Sequence, residues 1–471
     1  MNTIFRSIVA VSLVAFVGES SIAEPPAKPN FIFINIDDLG YADIGPFGSK
    51  LNRTPHLDRM AKEGRKLTSF YAAPVCSPSR AALMTGSYPK RALPIPHVLF
   101  PAGANGLSPK EITVAEVLKD AGYATAIVGK WHLGDQPEFL PTRQGFDFWF
   151  GLPYSNDMGP AEDGVKSNFG QPLPKRGDGQ PPLPLMRGDT VVQRVLAKDQ
   201  ETLVARYTDE AVGFIKANKE RPFFLYLAHN AVHWPLYPGE KFRGKSKNGL
   251  FGDWVEEMDW SVGEVLETLR TQGLAEKTLV IFMSDNGGTS LSVNKPFRGQ
   301  KGSTLEGGMR EPVIAWWPGQ IPAGTASDAI CGMFDVLPTC VALSGGVVSA
   351  ERKIDGKNLW PILSGEAGAA APHESFLYFK GLVLEAVRDG KWKLHLAKGE
   401  LYDLATDPGE ATNVAAAHPE AVAKLRALAD ATDGDLGQTG TGPGVRALGR
   451  VENAQPLLGP DGQPRAGFEP K

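Results

Sequence analysis

The chain has 471 residues, of which 42% are hydrophobic and 22% are charged, a composition typical of a soluble globular protein. Its length exceeds what one hydrophobic core usually serves, so we expect two domains. The formal net charge of −4 argues against nucleic acid as a bulk partner, although it leaves room for local basic pockets.

The N-terminus has the plan of an export signal, residues 1–23. Arg6 precedes an apolar run from Ile8 to Val17, and small residues lead to a predicted cleavage site after Ala23. The run is too short to span a bilayer, and no later stretch of the sequence is long and apolar enough. No cysteine follows the cleavage site, which disfavours a lipid anchor. We therefore expect an exported protein, periplasmic or secreted, with no stable membrane anchor.

The segment NFIFINIDDLG is a near-continuous apolar run that ends in two acidic residues, Asp37 and Asp38. Such a run, unlike an alternating one, is typical of a strand that is buried on both faces of a parallel sheet. The segment therefore predicts a central strand with both acids at its carboxyl end.

The segment PVCSPSRAALMTG contains Cys76, the first of only three cysteines. Ser77 is a good N-cap and Pro78 suits the first helical position, which predicts a helix that Gly86 ends. Cys76 then lies at a helix N-terminus, where free N–H groups and the helix dipole favour an anion. Arg80, one turn along, adds a planar cation that matches an oxyanion. The alternative is a small buried cysteine that only fills space.

The other two cysteines, Cys331 and Cys340, either pair or remain reduced. Cys340 belongs to a short apolar helix with Pro338 in its first turn, and this pattern favours two reduced, buried thiols. In either case Cys76 is unpaired, and an unpaired cysteine in an exported protein calls for a reason.

Three later segments repeat the plan of an apolar strand followed by polar residues: ATAIVGKWHLG, PFFLYLAHNAVHWP and TLVIFMSDNGG. Helical patterns such as ITVAEVLKDAG and VEEMDWSVGEVLETLRTQG lie among them, which predicts an open α/β sheet with helices on both faces. Ligands bind beyond the carboxyl ends of the strands in such sheets, so all four strands place their chemistry at one rim. Residues 155–190 are rich in proline and glycine and predict a long loop that is either mobile or used in binding.

The C-terminal part differs in composition. ESFLYF, LEAVRDGKWKLHLA and ELYDL predict short strands, with a hairpin turn at Asp389 and Gly390, and a helix follows from about Pro419 to Ala429. Glycine, proline and polar residues dominate thereafter. We therefore predict three units: a large domain over residues 24–370, a small α+β domain over residues 371–433, and an irregular or partly disordered tail over residues 434–471.

Two pairs of oxygen-bearing side chains at the strand ends indicate a metal site: Asp37 with Asp38, and Asp285 with Asn286. Hard divalent cations, Ca²⁺ or Mg²⁺, prefer such ligands, whereas zinc would favour histidine or cysteine. We favour calcium because it accepts many protein oxygens, an amide included, in a flexible geometry. A single Asp pair is more often a turn or a helix cap, but two pairs at the ends of buried strands favour the metal.

Four donors surround the same rim: Lys130, His132, His233 and Lys301. With Arg80 and a cation they would form a pocket for a tetrahedral oxyanion, with the histidines placed for proton transfer. A lone histidine is more often structural and a lone lysine is usually a solvated charge. The four residues belong to three segments, GKWHLG, VHWP and RGQKGSTLEGG, and the first two lie at predicted strand ends, which weakens that interpretation for the group.

These segments resemble those of the type I sulfatases. CSPSRAALMTG and GYATAIVGKWHLG are similar to the two signature segments of that family, and INIDDLG, SDNGG and KGSTLEGGMREP resemble its remaining blocks. GLPYSNDMGP is similar to the arylsulfatase A branch. The resemblance extends from Asn30 to about Asn413. It implies a large mixed, mostly parallel sheet sandwiched by helices, as in alkaline phosphatase, with a small C-terminal α+β domain.

The resemblance also implies an activity, which is the hydrolysis of sulfate monoesters such as aryl sulfates or sulfated carbohydrates. In this family the cysteine of C-x-P-S-R is oxidised by a maturation enzyme to formylglycine (3-oxoalanine), whose hydrate is the nucleophile. The implied calcium ligands are Asp37, Asp38, Asp285, Asn286 and the modified residue 76. The resemblance places three catalytic residues around the hydrate, Arg80, Lys130 and His132, and two at the leaving-group oxygen, His233 and Lys301. It implies that four residues bind the substrate: Ser155, which contacts the sulfate, and Lys130, His233 and Lys301.

Two other functions remain open at this point. The first is a phosphodiesterase or phosphonate monoester hydrolase on the same scaffold, since sulfate and phosphate esters share a tetrahedral anionic shape. The second is a carbohydrate-binding relative in which Cys76 is never converted. A cysteine phosphatase is disfavoured, because its loop separates Cys and Arg by five residues and here three intervene.

Overall fold

A computed structural model describes residues 28–173 and 179–470, and the predicted signal peptide lies outside these residues. Strands and helices are numbered separately in chain order. The strands are β1 (Asn30–Ile36), β2 (Arg65–Tyr71), β3 (Asn105–Gly106), β4 (Ala124–Gly129), β5 (Phe148–Gly151), β6 (Pro184–Arg187), β7 (Thr190–Arg194), β8 (Phe223–Ala228), β9 (Thr278–Ser284), β10 (Arg310–Trp316), β11 (Thr325–Ser327), β12 (Cys331–Gly332), β13 (Ser375–Lys380), β14 (Val383–Asp389), β15 (Trp392–His395), β16 (Glu400–Asp403) and β17 (Gly449–Arg450). The α-helices are α1 (Pro55–Glu63), α2 (Cys76–Thr85), α3 (Pro89–Ala92), α4 (Val114–Asp120), α5 (Ala197–Gln200), α6 (Leu203–Ala217), α7 (Gly249–Thr271), α8 (Glu306–Met309), α9 (Val336–Ser344), α10 (Trp360–Ser364) and α11 (Pro419–Ala431).

Within the described ranges, eleven strands form one mixed sheet in the order β11-β2-β10-β9-β1-β8-β4-β5-β6-β7, with β12 paired to β2. β1 pairs in parallel with both β8 and β9, and β8 pairs in parallel with β4. The four segments predicted as central strands therefore lie side by side in one direction. Their carboxyl ends meet at the same rim of the sheet.

Helices cover both faces of this sheet because the side chains of its central strands alternate between two cores. Phe31 and Phe33 of β1 belong to the core that contains residues of α2, α4 and α9. Ile32 and Ile34 belong to the core on the other face, which contains residues of α1, α6 and α7. Since both faces of β1 are buried, its apolar run is continuous, and the predicted fold class is confirmed.

A second, antiparallel sheet follows, in the order β13-β14-β15-β16, and its core includes residues of α11. Phe376 and Tyr378 of β13 are buried in the core of the large sheet, so the small sheet packs directly on the large one. Residues 434–470 contain little regular structure, and β17 pairs with β3. Leu457, Leu458 and Phe468 join the core of the large sheet, so this segment is packed. No helix of the described residues is long and apolar enough to cross a membrane.

Two local predictions are wrong. The helix at Cys76 begins one residue before the predicted cap, with extended Val75 at the N-cap, because the Ser77 hydroxyl accepts the N–H of Leu99 at 3.2 Å instead of capping. Residues 155–190 are not all loop, since they include β6, which pairs with β7. Pro184 opens β6 at the first position, where proline is tolerated in a strand.

Candidate active site

The acidic residues come together because β1 and β9 run in parallel and in register, with Ile36 beside Ser284. Asp37 and Asp38 follow β1, and Asp285 and Asn286 follow β9. The Asp285 backbone N–H donates to the carbonyl of Ile36 at 3.0 Å, which aligns the two strand ends. The Asn286 side-chain amide donates to Asp38 Oδ1 at 2.7 Å. All four side chains are buried.

Cys76 lies in the first turn of α2, and its thiol contacts Asp37 Oδ1 at 3.3 Å. Burial raises the pKa of this thiol well above its ordinary value, and the carboxylates of Asp285 and Asp37 raise it further. The unmodified side chain is therefore a protonated thiol at neutral pH. A thiolate nucleophile at this position is disfavoured.

Three cations balance the carboxylates. Arg80 donates to Asp285 Oδ2 through Nε at 3.0 Å and through Nη2 at 2.8 Å. Lys130 Nζ lies 2.5 Å from Asp37 Oδ2, and Lys301 Nζ lies 2.7 Å from Asp38 Oδ1. Burial alone would raise the pKa of Asp37, but Lys130 and the other nearby cations hold it well below its usual range.

Ser155, which follows β5, also belongs to this rim. Its hydroxyl accepts a hydrogen bond from Lys130 Nζ at 2.8 Å. The same hydroxyl lies 3.4 Å from His233 Nε2, and that nitrogen lies 3.7 Å from Asp38 Oδ2. His233 Nδ1 contacts the carbonyl of Trp234, so Nδ1 carries the proton and Nε2 faces the carboxylates.

His132 is buried and is held in one tautomer. Its Nε2 lies 3.0 Å from the carbonyl of Leu99, and a carbonyl only accepts, so Nε2 carries the proton. Nδ1 is buried and has no hydrogen-bond partner among the described residues. Burial lowers the pKa of His132 well below its ordinary value, and Lys130 and Arg80 lower it further. The ring therefore presents a free lone pair at neutral pH.

Asp37, Asp38, Asp285 and Asn286 supply the oxygen ligands that a hard divalent cation prefers. Ligand atoms of Asp37 and Asp38 lie within 4.8 Å of each other, and Cys76 and His233 each place a ligand atom within the same distance. The Asn286 side-chain oxygen is buried without a hydrogen-bond partner among the described residues, although its amide nitrogen is satisfied. A buried amide oxygen beside carboxylates is a ligand set that Ca²⁺ accepts, and a bound cation would satisfy the orphaned atom.

The structure brings all the predicted site residues together at and around these strand ends, and we refer to this cluster as the rim site. Its members are Asp37, Asp38, Cys76, Arg80, Lys130, His132, Ser155, His233, Asp285, Asn286 and Lys301.

The residues that hold the Lys301 segment were not predicted from the sequence. Lys393 of β15 is fully buried and donates to the carbonyl of Thr304 at 2.8 Å and to Glu306 at 2.9 Å. Glu410 accepts the backbone N–H of Glu306 at 2.7 Å and lies 3.0 Å from Lys393 Nζ. Tyr71 and Tyr378 also donate to Glu306, both at 2.7 Å. A lysine within the apolar strand pattern of WKLHLA was the available signal.

Comparison with known proteins gives consistent matches. The sulfatase family model matches residues 29–347. The N-acetylgalactosamine-6-sulfatase of Canis lupus familiaris is 39% identical, over 79% of this chain and 72% of that protein. Human arylsulfatase A is 37% identical, over 88% of this chain and 89% of that protein. The crystal structure of Ps i-CgsB in complex with k-i-k-neocarrahexaose has a TM-score of 0.72 and 31% identity, over 86% of this chain and 93% of that one.

Proposed function

The chain belongs to the sulfatase family, and we propose that this sulfuric ester hydrolase cleaves sulfate monoesters with a formylglycine formed from Cys76 and with a bound calcium ion. The observation that carries the proposal is the environment of Cys76. Its thiol is buried against Asp37, with Asp285 close by, and these carboxylates oppose a thiolate. Cys76 also lies in the C-x-P-S-R segment, which resembles the segment that is oxidised to formylglycine in this family, and Arg80 and Lys130 contact the carboxylates beside it.

A hydrated formylglycine supplies two hydroxyl groups on one carbon, one to attack sulfur and one to let the aldehyde reform as sulfate leaves. The chain supplies the base. His132 has a neutral ring whose Nε2 proton is held by Leu99, so Nδ1 is free to accept a proton. Arg80 lies one helical turn from residue 76 and is fixed by Asp285, so its position does not depend on substrate.

Calcium supplies positive charge to the sulfate oxygens when it is bound. Without a metal, the three carboxylates of the rim site face three cations: Asp37, Asp38 and Asp285 against Arg80, Lys130 and Lys301. This balance leaves little net charge to attract an anion. A divalent cation held by the carboxylates and by Asn286 would make the rim site positive, as an anionic sulfate ester requires.

The remaining residues of the rim site have places that suit binding and proton donation. Lys130 and Ser155 hydrogen-bond to each other and together offer donors to sulfate oxygens. His233 Nε2 faces Asp38, and Lys301 Nζ pairs with the same carboxylate from another side. Burial lowers the pKa of Lys301, but Asp38 and other nearby anionic groups raise it well above its ordinary value, so the ammonium carries a proton for the leaving-group oxygen.

The proposal also includes the location of the protein, the maturation of Cys76 and the class of substrate. The N-terminal sequence pattern supports export to a periplasmic or extracellular location. Conversion of Cys76 requires a formylglycine-generating partner enzyme. The substrate class that we propose is a small-molecule or carbohydrate sulfate ester.

Mass spectrometry tests the proposal on the tryptic peptide from Leu67 to Arg80. We expect the loss of H₂S and the gain of one oxygen at residue 76 in active protein. The same preparation should hydrolyse 4-nitrophenyl sulfate with a higher kcat/KM than 4-nitrophenyl phosphate. A fully active protein with only unmodified thiol would overturn the formylglycine, and a preference for the phosphate ester would overturn the choice of substrate.

A further inference from the structure

A cavity of about 500 Å³ lies where the large sheet meets the small sheet. Residues of β2, β10 and the connection between β11 and β12 line it on one side, and the β14–β15 hairpin lines it on the other. None of the described residues that line it belongs to the rim site. A concave junction between two packed units is a common place for a ligand, so the chemistry of its walls is informative.

Two largely buried arginines, Arg310 of β10 and Arg388 of β14, line this cavity from the two sheets. Arg310 Nη1 lies 3.2 Å from Glu306 Oε2. Arg388 donates to the Tyr71 hydroxyl, which in turn donates to the same carboxylate oxygen at 2.7 Å. The two guanidinium groups are therefore neighbours. In each of them Nη2 forms no hydrogen bond with the part of the chain that the structure describes, so both keep free donors.

The buried charges behind this wall do not balance. Glu306 and Glu410 supply two negative charges, whereas Arg310, Arg388 and Lys393 supply three positive charges. Burial lowers the pKa of Arg310, but nearby anionic groups, Glu306 among them, raise it above its ordinary value, and the charge of Arg388 opposes that rise. The contacts within the protein thus leave one buried positive charge without a partner, and buried charges are normally paired.

Ser69 adds an unsatisfied hydroxyl to the same cavity. Thr68 and Ser69 of β2 lie opposite Pro312 alone, which makes a bulge where the proline has no N–H to donate to the ladder. Ser69 is 1% exposed and lines the cavity, and its Oγ is buried without a hydrogen bond to any residue of the described ranges. Since buried hydroxyl groups are normally hydrogen-bonded, this atom indicates a partner that the protein itself does not supply.

The acidic side chains of the cavity do not supply the missing anion. Asp328 and Glu374 line it, but both are exposed, so solvent and salt screen their charges. Asp389 also lines it and pairs with Lys424 instead. A small anion that reaches the guanidinium groups would therefore meet buried positive charge and only screened negative charge.

We propose that this cavity, the junction cavity, binds a tetrahedral oxyanion, inorganic sulfate or phosphate, between Arg310 and Arg388. The free Nη2 groups would donate to its oxygens, and the Ser69 hydroxyl would donate a further hydrogen bond. The ion would neutralise the unpaired positive charge and join the two sheets, so it should stabilise the folded chain. Because these groups lie outside the rim site, the junction cavity does not depend on the proposed sulfatase function.

Equilibrium dialysis of the full-length protein with radiolabelled sulfate and with radiolabelled phosphate measures the number of bound ions and their affinity. We expect one ion per chain in the junction cavity with a Kd of about 1 mM or below. Ala405 lines the cavity and is exposed, so a longer side chain fits there. Ala405→Glu should weaken this binding about tenfold, because it adds a carboxylate to the wall. Ala405→Gln is the matched control, which has the same size but no charge and should change the affinity less than about twofold.

Thermal unfolding at constant ionic strength gives a second readout. Sulfate also stabilises proteins by exclusion from their surface, and this part persists in every variant. The midpoint temperature should therefore rise more with sulfate or phosphate in Ala405→Gln than in Ala405→Glu. Arg388→Lys, which keeps the charge but loses the planar fork, should reduce the specific part of the rise.

The position of the ion separates the junction cavity from the rim site. A crystal soaked in selenate, which has the shape of sulfate, should show anomalous scattering between Arg310 and Arg388. The inhibition of 4-nitrophenyl sulfate hydrolysis by sulfate reports on the rim site, and Ala405→Glu should leave it unchanged. Equal dialysis affinities in Ala405→Glu and Ala405→Gln, or selenate in the rim site alone, would overturn the proposal. A failure to hydrolyse 4-nitrophenyl sulfate would contradict the sulfatase function and not the junction cavity.

Discussion

Replacing Lys393 by methionine should destabilise the protein strongly, because this lysine is the buried cation shared by two buried carboxylates. Its Nζ lies 2.9 Å from Glu306 and 3.0 Å from Glu410, and all three side chains are fully buried. Methionine has a similar length and removes only the charge and the donors. Burial would raise the pKa of Glu306, but Lys393 first, then Arg310 and Arg388, hold it well below its usual range.

The magnitude follows from the loss of one partner in a buried ion pair. Removing a single partner leaves an uncompensated buried charge, which costs about 3–5 kcal/mol in the free energy of unfolding. Arg310 still lies 3.2 Å from Glu306, so we expect the lower part of this range. The variant also removes the hydrogen bond from Lys393 to the carbonyl of Thr304, three residues after Lys301. Since the position of Lys301 is then less fixed, kcat for 4-nitrophenyl sulfate should fall by a larger factor than KM rises.

Urea unfolding, followed by tryptophan fluorescence, measures the change in stability. The control is Lys391→Met, which breaks an ion pair with Asp403 at 2.6 Å, but in which the lysine is 52% exposed. That pair should contribute less than about 1 kcal/mol. Adding Glu410→Gln to Lys393→Met should recover part of the loss, because the carboxylate that has lost Lys393, and keeps only one side-chain partner among the described residues, His395 at 2.7 Å, is then replaced by a neutral amide. The reasoning is refuted if Lys393→Met loses no more stability than the control.

Three further predictions concern the rim site and the core. Cys76→Ser should complete at most one turnover and accumulate a sulfated serine. Its single hydroxyl can attack sulfur, but it cannot release the sulfate by reforming an aldehyde. Measurement of the intact mass detects the adduct, and sustained turnover contradicts the prediction. Exhaustive chelation should abolish activity and lower the midpoint temperature of thermal unfolding. Ca²⁺ should restore both in the parent protein, and in Asn286→Ala it should do so only at a higher concentration. Full activity of the metal-free protein contradicts the proposed calcium site. Burial lowers the pKa of His229 to about 3. The unfolded chain therefore takes up a proton below about pH 6.5 that the folded one does not, so the free energy of unfolding should fall by about 2 kcal/mol from this group between pH 7.5 and 5. His229→Gln should remove that part of the pH dependence, and an unchanged urea profile would contradict it.

The fold was predictable because the strongest sequence signals lie on the central strands. A strand such as β1, buried on both faces, needs an apolar side chain at nearly every position, and its polar residues begin where it ends. The acids after β1 and β9 could be assigned to one rim for that reason. β6 was missed because four residues beside several prolines give too short a pattern to separate from a loop.

The contacts that hold the Lys301 segment were not predictable from local patterns. Lys393 meets Glu306 across 87 residues of sequence, and Glu410 meets the backbone of Glu306 across 104. Propensity and periodicity describe neighbours along the chain, whereas these pairs depend on how the small sheet docks on the large one. The buried position of Lys393 follows only from that docking.

Cys76 shows how a correct local argument can give the wrong sign for a local property. Its place at the N-terminus of α2 predicts a stabilised anion, and a helix N-terminus alone lowers the pKa of a thiol. The structure places Asp37 and Asp285 around the same sulfur, and together with burial they raise that pKa. We therefore expect the helix terminus and Arg80 to act on an oxyanion when a cation engages these carboxylates, as the proposed calcium would. Residue 76 and the proposed metal ligands would then form one electrostatic unit, in which the charge on one part depends on the other.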